Sequence, residues 1–150
     1  MKKLLLAAIV SLTTISSVAL AEIKVGIILG FTGPIESLTP AMRDSAKLAF
    51  AEVSASGALL GGETITPLIA DSTCVDSDAA VAAAELLVSD GAVAIMGADC
   101  SGVTGAIVTN VAVPNGITMV SPSATSPGLT SLADNGLFFR TAPSDAKGGQ

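Results

Sequence analysis

Short apolar runs rich in Val, Ile and Leu alternate along the chain with longer segments whose apolar residues recur every three or four positions. The first run, residues 23–29, is almost continuously apolar and ends at Gly30, a pattern typical of a strand buried on both faces of a parallel sheet. The same pattern predicts further strands at residues 65–70, 92–96, 117–120 and 137–140.

Helical patterns fill the intervals between these strands. Residues 40–56 repeat apolar side chains at i, i+4, i+7, i+8 and i+11 from Met42, which predicts an amphipathic helix that ends at Gly57. Two further helices are expected, one from Asp76 or Ser77 to about Asp90, and one from Ser101, as its cap, to about Val111, stopped by Pro114 and Gly116.

This alternation predicts an α/β fold, an open parallel sheet with helices on both faces and right-handed crossovers between the strands. Ligands of such sheets bind outside the carboxyl ends of the strands, where the strand order changes direction. The loops that follow the first four strands are therefore the candidate site, at residues 30–40, 71–76, 97–101 and 121–126.

The first 21 residues have the pattern of an export signal. Two lysines follow the first methionine, an apolar run comes next, and the small residues Ala19 and Ala21 fit a signal peptidase site. We expect cleavage between Ala21 and Glu22, a signal peptide at residues 1–21 and a periplasmic mature protein. The alternative is a membrane anchor, but the uninterrupted apolar run is far shorter than the roughly 20 residues that span a bilayer.

Composition narrows the possible chemistry. The chain has 13 carboxylates against 7 Lys and Arg, a formal net charge of −6, and no His, Trp or Tyr. Without histidine it offers no Ser-His-Asp or Cys-His nucleophile and no His-ligated zinc site. An acidic chain with few aromatic residues has little to neutralise phosphates or stack on bases, so no nucleic acid partner is expected. A small uncharged or zwitterionic ligand, or a structural role, remains.

Neither a metal nor a cofactor is expected from the loop motifs. Asp71, Asp76, Asp78 and Asp99 do not fall at the alternating positions of a calcium loop, so helix capping and solvation explain them better. The glycines within residues 26–33 have the wrong spacing for a dinucleotide fingerprint and are better explained by a tight turn.

The chain has two cysteines, Cys74 and Cys100. In an exported protein a disulfide between them is the default expectation, and it would contribute about 3 kcal/mol. Two buried free thiols are the alternative, because sequence alone does not show whether the two Cα atoms come close enough.

Two loops carry groups suited to a zwitterion. A helix that begins at Ser101 directs unpaired N–H groups and its positive end into the loop space, which suits a carboxylate. The loop of residues 121–127 brings hydroxyl and backbone groups to the end of the neighbouring predicted strand. Ser101 as an ordinary helix cap, and residues 121–127 as an ordinary Ser/Pro-rich loop, are the simpler alternatives.

Several motifs occur in the order of a known family: Lys24-Val25-Gly26, Thr32-Gly33-Pro34, Cys74 with Cys100-Ser101, Ser121-Pro122-Ser123-Ala124-Thr125, and Phe139-Arg140-Thr141 with Pro143-Ser144-Asp145. Together they resemble the type I periplasmic binding proteins of the leucine/isoleucine/valine-binding class, the receptors of branched-chain amino acid ABC importers. The resemblance implies a monomeric, two-lobed receptor that closes on an amino acid and delivers it to a membrane permease.

The resemblance also implies roles for individual residues. Ser101 binds the ligand carboxylate, the backbone carbonyl of Ser123 accepts from the ammonium, Thr125 offers a hydroxyl and an N–H, and Cys74 and Cys100 are bridged. Other residues expected to line the site are Cys100, Asp99, Ala124 and Leu38. Leu38 stands where amino-acid binders of the family often carry an aromatic residue, so the preferred ligand side chain is left open.

Members of this family are more than twice as long as this chain. We therefore expect an N-terminal fragment, with an incomplete ligand-binding lobe at residues 22–141 and the start of the crossover into a second lobe at residues 142–150. The acidic residue that neutralises the ligand ammonium in such receptors would come from the second lobe.

The function predicted from the sequence is a non-enzymatic periplasmic receptor for an amino acid, with a branched-chain or similar ligand expected. A receptor or sensor for short amides or urea shares the same lobe architecture and is the nearest alternative. An exported α/β hydrolase is the alternative from another class, and it requires a general base beside a nucleophile.

Overall fold

Strands and helices alternate along residues 22–148, the part of the chain that this computed structural model describes. The strands are β1 (Glu22–Leu29), β2 (Thr64–Asp71), β3 (Ala94–Gly97), β4 (Thr118–Ser121) and β5 (Phe138–Arg140). The main helices are α1 (Thr39–Ser56), α2 (Ser77–Ser89) and α3 (Ser101–Ile107). Short 3₁₀ turns occupy Pro127–Thr130 and Asp145–Lys147.

The strands form one parallel sheet in the order β2-β1-β3-β4-β5, which confirms the predicted fold class. After β1 the chain adds β2 on one side and then crosses to the other side for β3, so the strand order changes direction between β1 and β3. The carboxyl ends of these two strands therefore border the crevice where parallel sheets of this kind bind ligands.

The two faces of the sheet are covered unequally. Helices α2 and α3 pack on one face, where Ile28, Ile95 and Met119 belong to one continuous apolar core. On the opposite face α1 packs mainly against β1 and β2. An open sheet face, defined by Met96, Val120 and Phe139, is left beside it, and the side chains of Val120 and Phe139 are 37% and 55% exposed.

Local sequence signals account for the ends of α1 and α2. The carboxylate of Asp76 accepts hydrogen bonds from the N–H groups of Asp78 and Ala79, as predicted for a helix cap. Gly57 ends α1 with a φ of 66°, in the left-handed region that glycine adopts without strain.

The third helix departs from its prediction at both ends. Cys100 is the N-cap and Ser101 the first helical residue, so Ser101 does not cap the helix. After α3 the helical path continues through a π-helical turn, Val108–Ala112, and a last turn, Val113–Asn115, before Gly116 ends it. Pro114 does not stop the helix, because it lies in the first turn after the π-helical segment, where its missing N–H costs little.

Two predictions fall at the limits of the described residues. The proposed signal peptide and Ala21 lie outside them, while Glu22 is the first residue of β1, where the hydroxyl of Thr66 bonds its carboxylate. Between residues 22 and 148, no helix is long and apolar enough to cross a membrane.

Candidate ligand-binding site

The loops after β1, β2, β3 and β4 meet at the carboxyl edge of the sheet. Hydrogen bonds join residues of all four loops, and the backbone N–H of Ser126 donates to Oγ of Ser101 at 3.0 Å. The two loops that were predicted to hold opposite ends of a zwitterion are thus in direct contact. This contact follows from the sheet order, because β3 and β4 are neighbours and both loops leave the same edge.

Ser101 is held as a hydrogen-bond donor. Its oxygen accepts from the N–H of Ser126, so its own proton is directed elsewhere. Within residues 22–148, no acceptor takes the N–H groups of Ser101 or Gly102, which are in the first turn of the helix. This end of the site therefore presents donors to an anion.

The loop of residues 121–126 is shaped by its own serines. The hydroxyl of Ser121 bonds the carbonyl of Ala98 and accepts from the N–H of Ala124 at 3.0 Å. The hydroxyl of Ser123 donates to the carbonyl of Asp99 at 2.9 Å. The carbonyl of Ser123 has no donor among the described residues, so it remains an acceptor.

The hydroxyl of Thr125 donates within the protein, whereas that of Ser101 accepts. The Thr125 hydroxyl donates to Oδ2 of Asp145 at 2.8 Å, and the Thr125 carbonyl accepts from the N–H of Asp145 at 3.0 Å. Because the hydroxyl proton is already bound by a carboxylate, the oxygen of Thr125 offers lone pairs to a neighbour. Thr125 and the carbonyl of Ser123 therefore supply acceptors, which suits a cation such as an ammonium.

Arg140 anchors this loop, a role that the sequence did not reveal. Its guanidinium donates to the carbonyls of Ser126 at 2.9 Å and Ala124 at 3.3 Å, and to the hydroxyl of Thr130 at 2.6 Å. The motif around Arg140 was visible in the sequence, but only the pairing of β5 with β4 brings its side chain over the loop.

Asp99 is buried, with 3% of its surface exposed. Its Oδ2 accepts from the N–H of Gly30 at 2.9 Å, and its Oδ1 accepts from the N–H of Cys100 at 3.0 Å and the hydroxyl of Ser72 at 3.3 Å. The carboxylate therefore points into the junction of the loops after β1, β2 and β3. From the sequence, we expected Asp99 to line the ligand site.

Asp71 holds the outer part of the loop after β1. It accepts from the hydroxyl of Thr32 at 2.6 Å and from the N–H groups of Phe31 and Thr73 at 3.0 and 2.8 Å. Partial burial opposes its ionisation, but these hydrogen bonds together outweigh the desolvation and lower the pKa of Asp71 below its ordinary value. The sequence assigned Asp71 only to capping and solvation.

The predicted disulfide is present. Cys74 and Cys100 are bonded, with their Cα atoms 5.2 Å apart and a sequence separation of 26. The bridge ties the loop after β2 to the N-cap of α3 and passes close to Gly30, where an added Cβ would lie 3.1 Å from Cβ of Cys74. The bridge thus holds together two of the loops that border the crevice between β1 and β3.

The other two predicted site residues, Ala124 and Leu38, differ in burial. Ala124 is fully buried in the apolar core, and its N–H and carbonyl both bond within the protein. Leu38 is the N-cap residue of α1 and is 61% exposed. In the same loop Phe31 lies under the guanidinium of Arg43, 5.8 Å from the ring centre.

The edge of the sheet thus combines donors at Ser101 with acceptors at Ser123 and Thr125. Such an arrangement can hold the two ends of a zwitterion by hydrogen bonds alone. Among residues 22–148, no three His, Cys, Asp or Glu side chains cluster as metal ligands, and every buried side-chain nitrogen or oxygen has a partner.

Known proteins resemble this chain along its described length. The sequence profile of the family described as periplasmic binding protein matches residues 22–150. The Leu/Ile/Val-binding protein BraC3 of Rhizobium johnstonii is 33% identical over 128 residues, which cover 85% of this chain and 34% of BraC3. The chain thus spans about a third of the length of such a relative.

Two solved structures share the fold. The substrate-binding protein LivJ of Streptococcus pneumoniae, in complex with isoleucine, is 29% identical with a TM-score of 0.73, covering 84% of this chain and 35% of LivJ. A solute-binding protein of R. palustris, in complex with benzoate, is 27% identical with a TM-score of 0.69, covering 83% of this chain and 34% of that protein. Since the family profile extends over all the described residues, the chain belongs to the periplasmic binding protein family, with Leu/Ile/Val-binding proteins among its relatives.

Proposed function

We propose that the protein containing this chain is a periplasmic receptor that binds an amino acid and delivers it to an ABC importer. The observation that carries the proposal is the contact between Ser101 and Ser126, which places a set of donors beside a set of acceptors at the predicted crevice. Relatives named as Leu/Ile/Val-binding, and the isoleucine complex of LivJ, support an amino acid as the ligand.

The ligand carboxylate is assigned to the beginning of α3. The hydroxyl of Ser101 and the N–H groups of Ser101 and Gly102 are donors without an acceptor in the described structure. Hydrogen bonds from such donors to a charged carboxylate contribute about 1.5–3 kcal/mol each. The positive end of the helical path adds to this attraction.

The ligand ammonium is assigned to the carbonyl of Ser123 and the hydroxyl oxygen of Thr125. Asp145 holds the proton of that hydroxyl, so Thr125 accepts from the ammonium rather than competing with it as a donor. The nearby carboxylate of Asp145 also carries a formal negative charge, which favours a cation at this end. The exposed side chain of Leu38 and the half-buried side chain of Phe31 lie in the loop after β1, which is assigned to one wall of the cleft.

Cleavage after Ala21 and a periplasmic location complete the proposal. Both are supported by the coincidence of two boundaries at residue 22: the end of the predicted export signal and the start of the family match. Closure of a second lobe over the ligand would exclude water from these hydrogen bonds and strengthen them.

Isothermal titration of the full-length exported protein with the twenty amino acids tests the proposed ligand. We expect saturable binding of at least one aliphatic amino acid. Absence of binding with every amino acid would refute the amino-acid receptor. Parallel titrations with benzoate, acetamide and urea test the other ligand classes, and benzoate is included because a related structure holds it.

A pair of variants tests the assigned carboxylate contact. Ser101→Ala removes a donor, and we expect the Kd of the amino acid to rise between about tenfold and a hundredfold. Ser131→Ala is the matched control, because its hydroxyl bonds only the carbonyl of Gly128 in an exposed turn. Equal affinities for the two variants would remove Ser101 from the site.

A further inference from the structure

We propose that Asp99 is the positioning residue of the binding site: it holds the four loops of the carboxyl edge in register and does not contact the ligand itself. The inference rests on the proposed function for its consequence on affinity, but its structural part can be measured without any ligand. It assigns to Asp99 a role different from the ligand contact that the sequence suggested.

The first argument is the number of loops that one residue joins. The carboxylate of Asp99 accepts from Gly30 after β1, from Ser72 after β2 and from its own neighbour Cys100. The backbone carbonyl of Asp99 accepts from the hydroxyl of Ser123 after β4. Every loop of the candidate site is therefore bonded to this residue.

The second argument is the direction and burial of the side chain. Asp99 is 3% exposed, and both carboxylate oxygens are taken by protein donors. Because the residue is almost fully buried, a ligand group would have to displace the surrounding loop atoms to reach the carboxylate. Because a buried donor without a partner is costly, the internal bonds are retained and the ligand meets the main-chain and hydroxyl groups that Asp99 has placed.

The third argument is that a neutral side chain of the same size cannot replace the carboxylate. Asp99 accepts at both oxygens, from Gly30 at one and from Ser72 and Cys100 at the other. An asparagine has one oxygen and one NH₂ group, so its nitrogen would face a donor on one side. The N–H of Gly30 or the pair of donors opposite it would then lose its acceptor.

Asp99→Asn in the full-length protein tests the positioning role, with Asp76→Ala as the matched control. Asp76 caps α2 through the N–H groups of Asp78 and Ala79, so its loss weakens a helix end without removing any hydrogen bond of Asp99. Amide hydrogen exchange is measured in the ligand-free proteins, and the Kd of the amino acid bound by the wild type is measured by titration.

We expect Asp99→Asn to speed exchange at least tenfold at the Gly30 or the Cys100 amide, whichever faces the new NH₂ group, and to leave the Ala79 amide unchanged. Asp76→Ala should give the reverse pattern. We also expect Asp99→Asn to raise the Kd at least tenfold, and Asp76→Ala to change it less than twofold even though it lowers the unfolding temperature. The affinity loss therefore separates loop positioning from a general loss of stability.

Two results would overturn the proposal: unchanged exchange at both Gly30 and Cys100 in Asp99→Asn, or an affinity loss no larger than that of Asp76→Ala. If Asp99→Asn does not fold, Ser72→Ala replaces it, because this variant removes one donor and keeps the carboxylate. A smaller change in the same direction is then expected, and no change refutes the proposal. If the wild type binds no amino acid, the proposed function fails, while exchange at Gly30 and Cys100 still decides the role of Asp99.

Discussion

The hydroxyls of Ser101 and Thr125 each have one hydrogen-bonding direction already committed inside the protein. Ser101 accepts from Ser126 and so retains its proton, whereas Thr125 gives its proton to Asp145 and so retains its lone pairs. The two side chains are chemically alike, yet their neighbours make one a donor and the other an acceptor. The polarity of the site is therefore set by backbone and carboxylate partners that do not themselves face the ligand.

Asp71 gives the stability of the protein a dependence on pH in the acid range. Its pKa is lowered in the folded protein, so its contribution to the free energy of unfolding is present above its unfolded pKa of about 3.9 and is lost as the pH falls through the folded value. We expect Asp71→Asn to lower the free energy of unfolding by about 1–2 kcal/mol at pH 7, and by much less at about pH 2.

Urea unfolding of the wild type and of Asp71→Asn at the two pH values measures this difference. Thr32→Val provides a second comparison, because it removes the hydroxyl donor and leaves the carboxylate in place. A difference between wild type and Asp71→Asn that is the same at both pH values would contradict the assignment.

At the residue scale, the sequence predicted which residues lie close together wherever the order of the strands alone decides it. Ser101 and Thr125 follow neighbouring strands, so their proximity was predictable from the order of elements. The direction of the Asp99 side chain was not, because it depends on the N–H of Gly30 and the hydroxyl of Ser72, which approach from separate loops. The contacts of Arg140 were not predictable either, because they depend on the pairing of β5 with β4.

Among the elements, β3 ends in a glycine that the packing requires. Gly97 has a φ of 129°, and a Cβ there would overlap the carbonyl oxygen of Ile28 on the neighbouring strand. We expect Gly97→Ala to lower the free energy of unfolding by about 3 kcal/mol or more. Urea unfolding of the full-length protein measures the loss.

Gly57→Ala is the matched control for this substitution. Gly57 also has a positive φ, of 66°, but nothing lies within 4 Å of an added Cβ. Its replacement should therefore cost only the backbone strain, about 1 kcal/mol. Equal losses for the two variants would show that the approach of β1 to Gly97 does not matter.

The disulfide connects two elements that the chain visits 26 residues apart. We expect the double substitution of Cys74→Ser and Cys100→Ser to lower the free energy of unfolding by about 3 kcal/mol, because the unfolded chain regains the entropy of an open loop. Urea unfolding of the wild type with and without dithiothreitol provides the comparison. Titration of two free thiols in the denatured, unreduced protein would contradict the bridge.

Elements were predictable to the extent that their signals are local. The β-branched runs of β1 and β2 and the Asp76 cap of α2 were found because propensity, burial and capping agree there. The helical path after Ser101 was cut short in the prediction, because Pro114 is a helix breaker in isolation. A π-helical turn shifts the hydrogen-bonding pattern just before it, and that shift depends on packing in the core.

Across the molecule, the strongest asymmetry is between the covered face of the sheet and the open sheet face of Met96, Val120 and Phe139. Contiguous exposed apolar groups bind hydrophobic dyes and favour self-association. We expect the 150-residue chain to enhance the fluorescence of ANS, and the double substitution of Val120→Thr and Phe139→Thr to reduce that signal by roughly half.

Val75→Thr is the control for the dye experiment. Val75 is 72% exposed, more than either substituted residue, but it lies in the loop after β2 and not on the open sheet face. Its substitution should leave the fluorescence almost unchanged. A reduction as large as that of the double substitution would mean that scattered apolar residues, rather than one face, bind the dye.

Asp145 belongs to two structures at once. It begins the 3₁₀ turn through which the chain leaves the sheet after β5, and it bonds Thr125 through both its carboxylate and its backbone N–H. A displacement of residues 145–148 is therefore transmitted to the hydroxyl that is assigned to the ligand ammonium. In the proposed receptor, the path by which the chain leaves the sheet and the binding of the ligand ammonium are in this way mechanically linked.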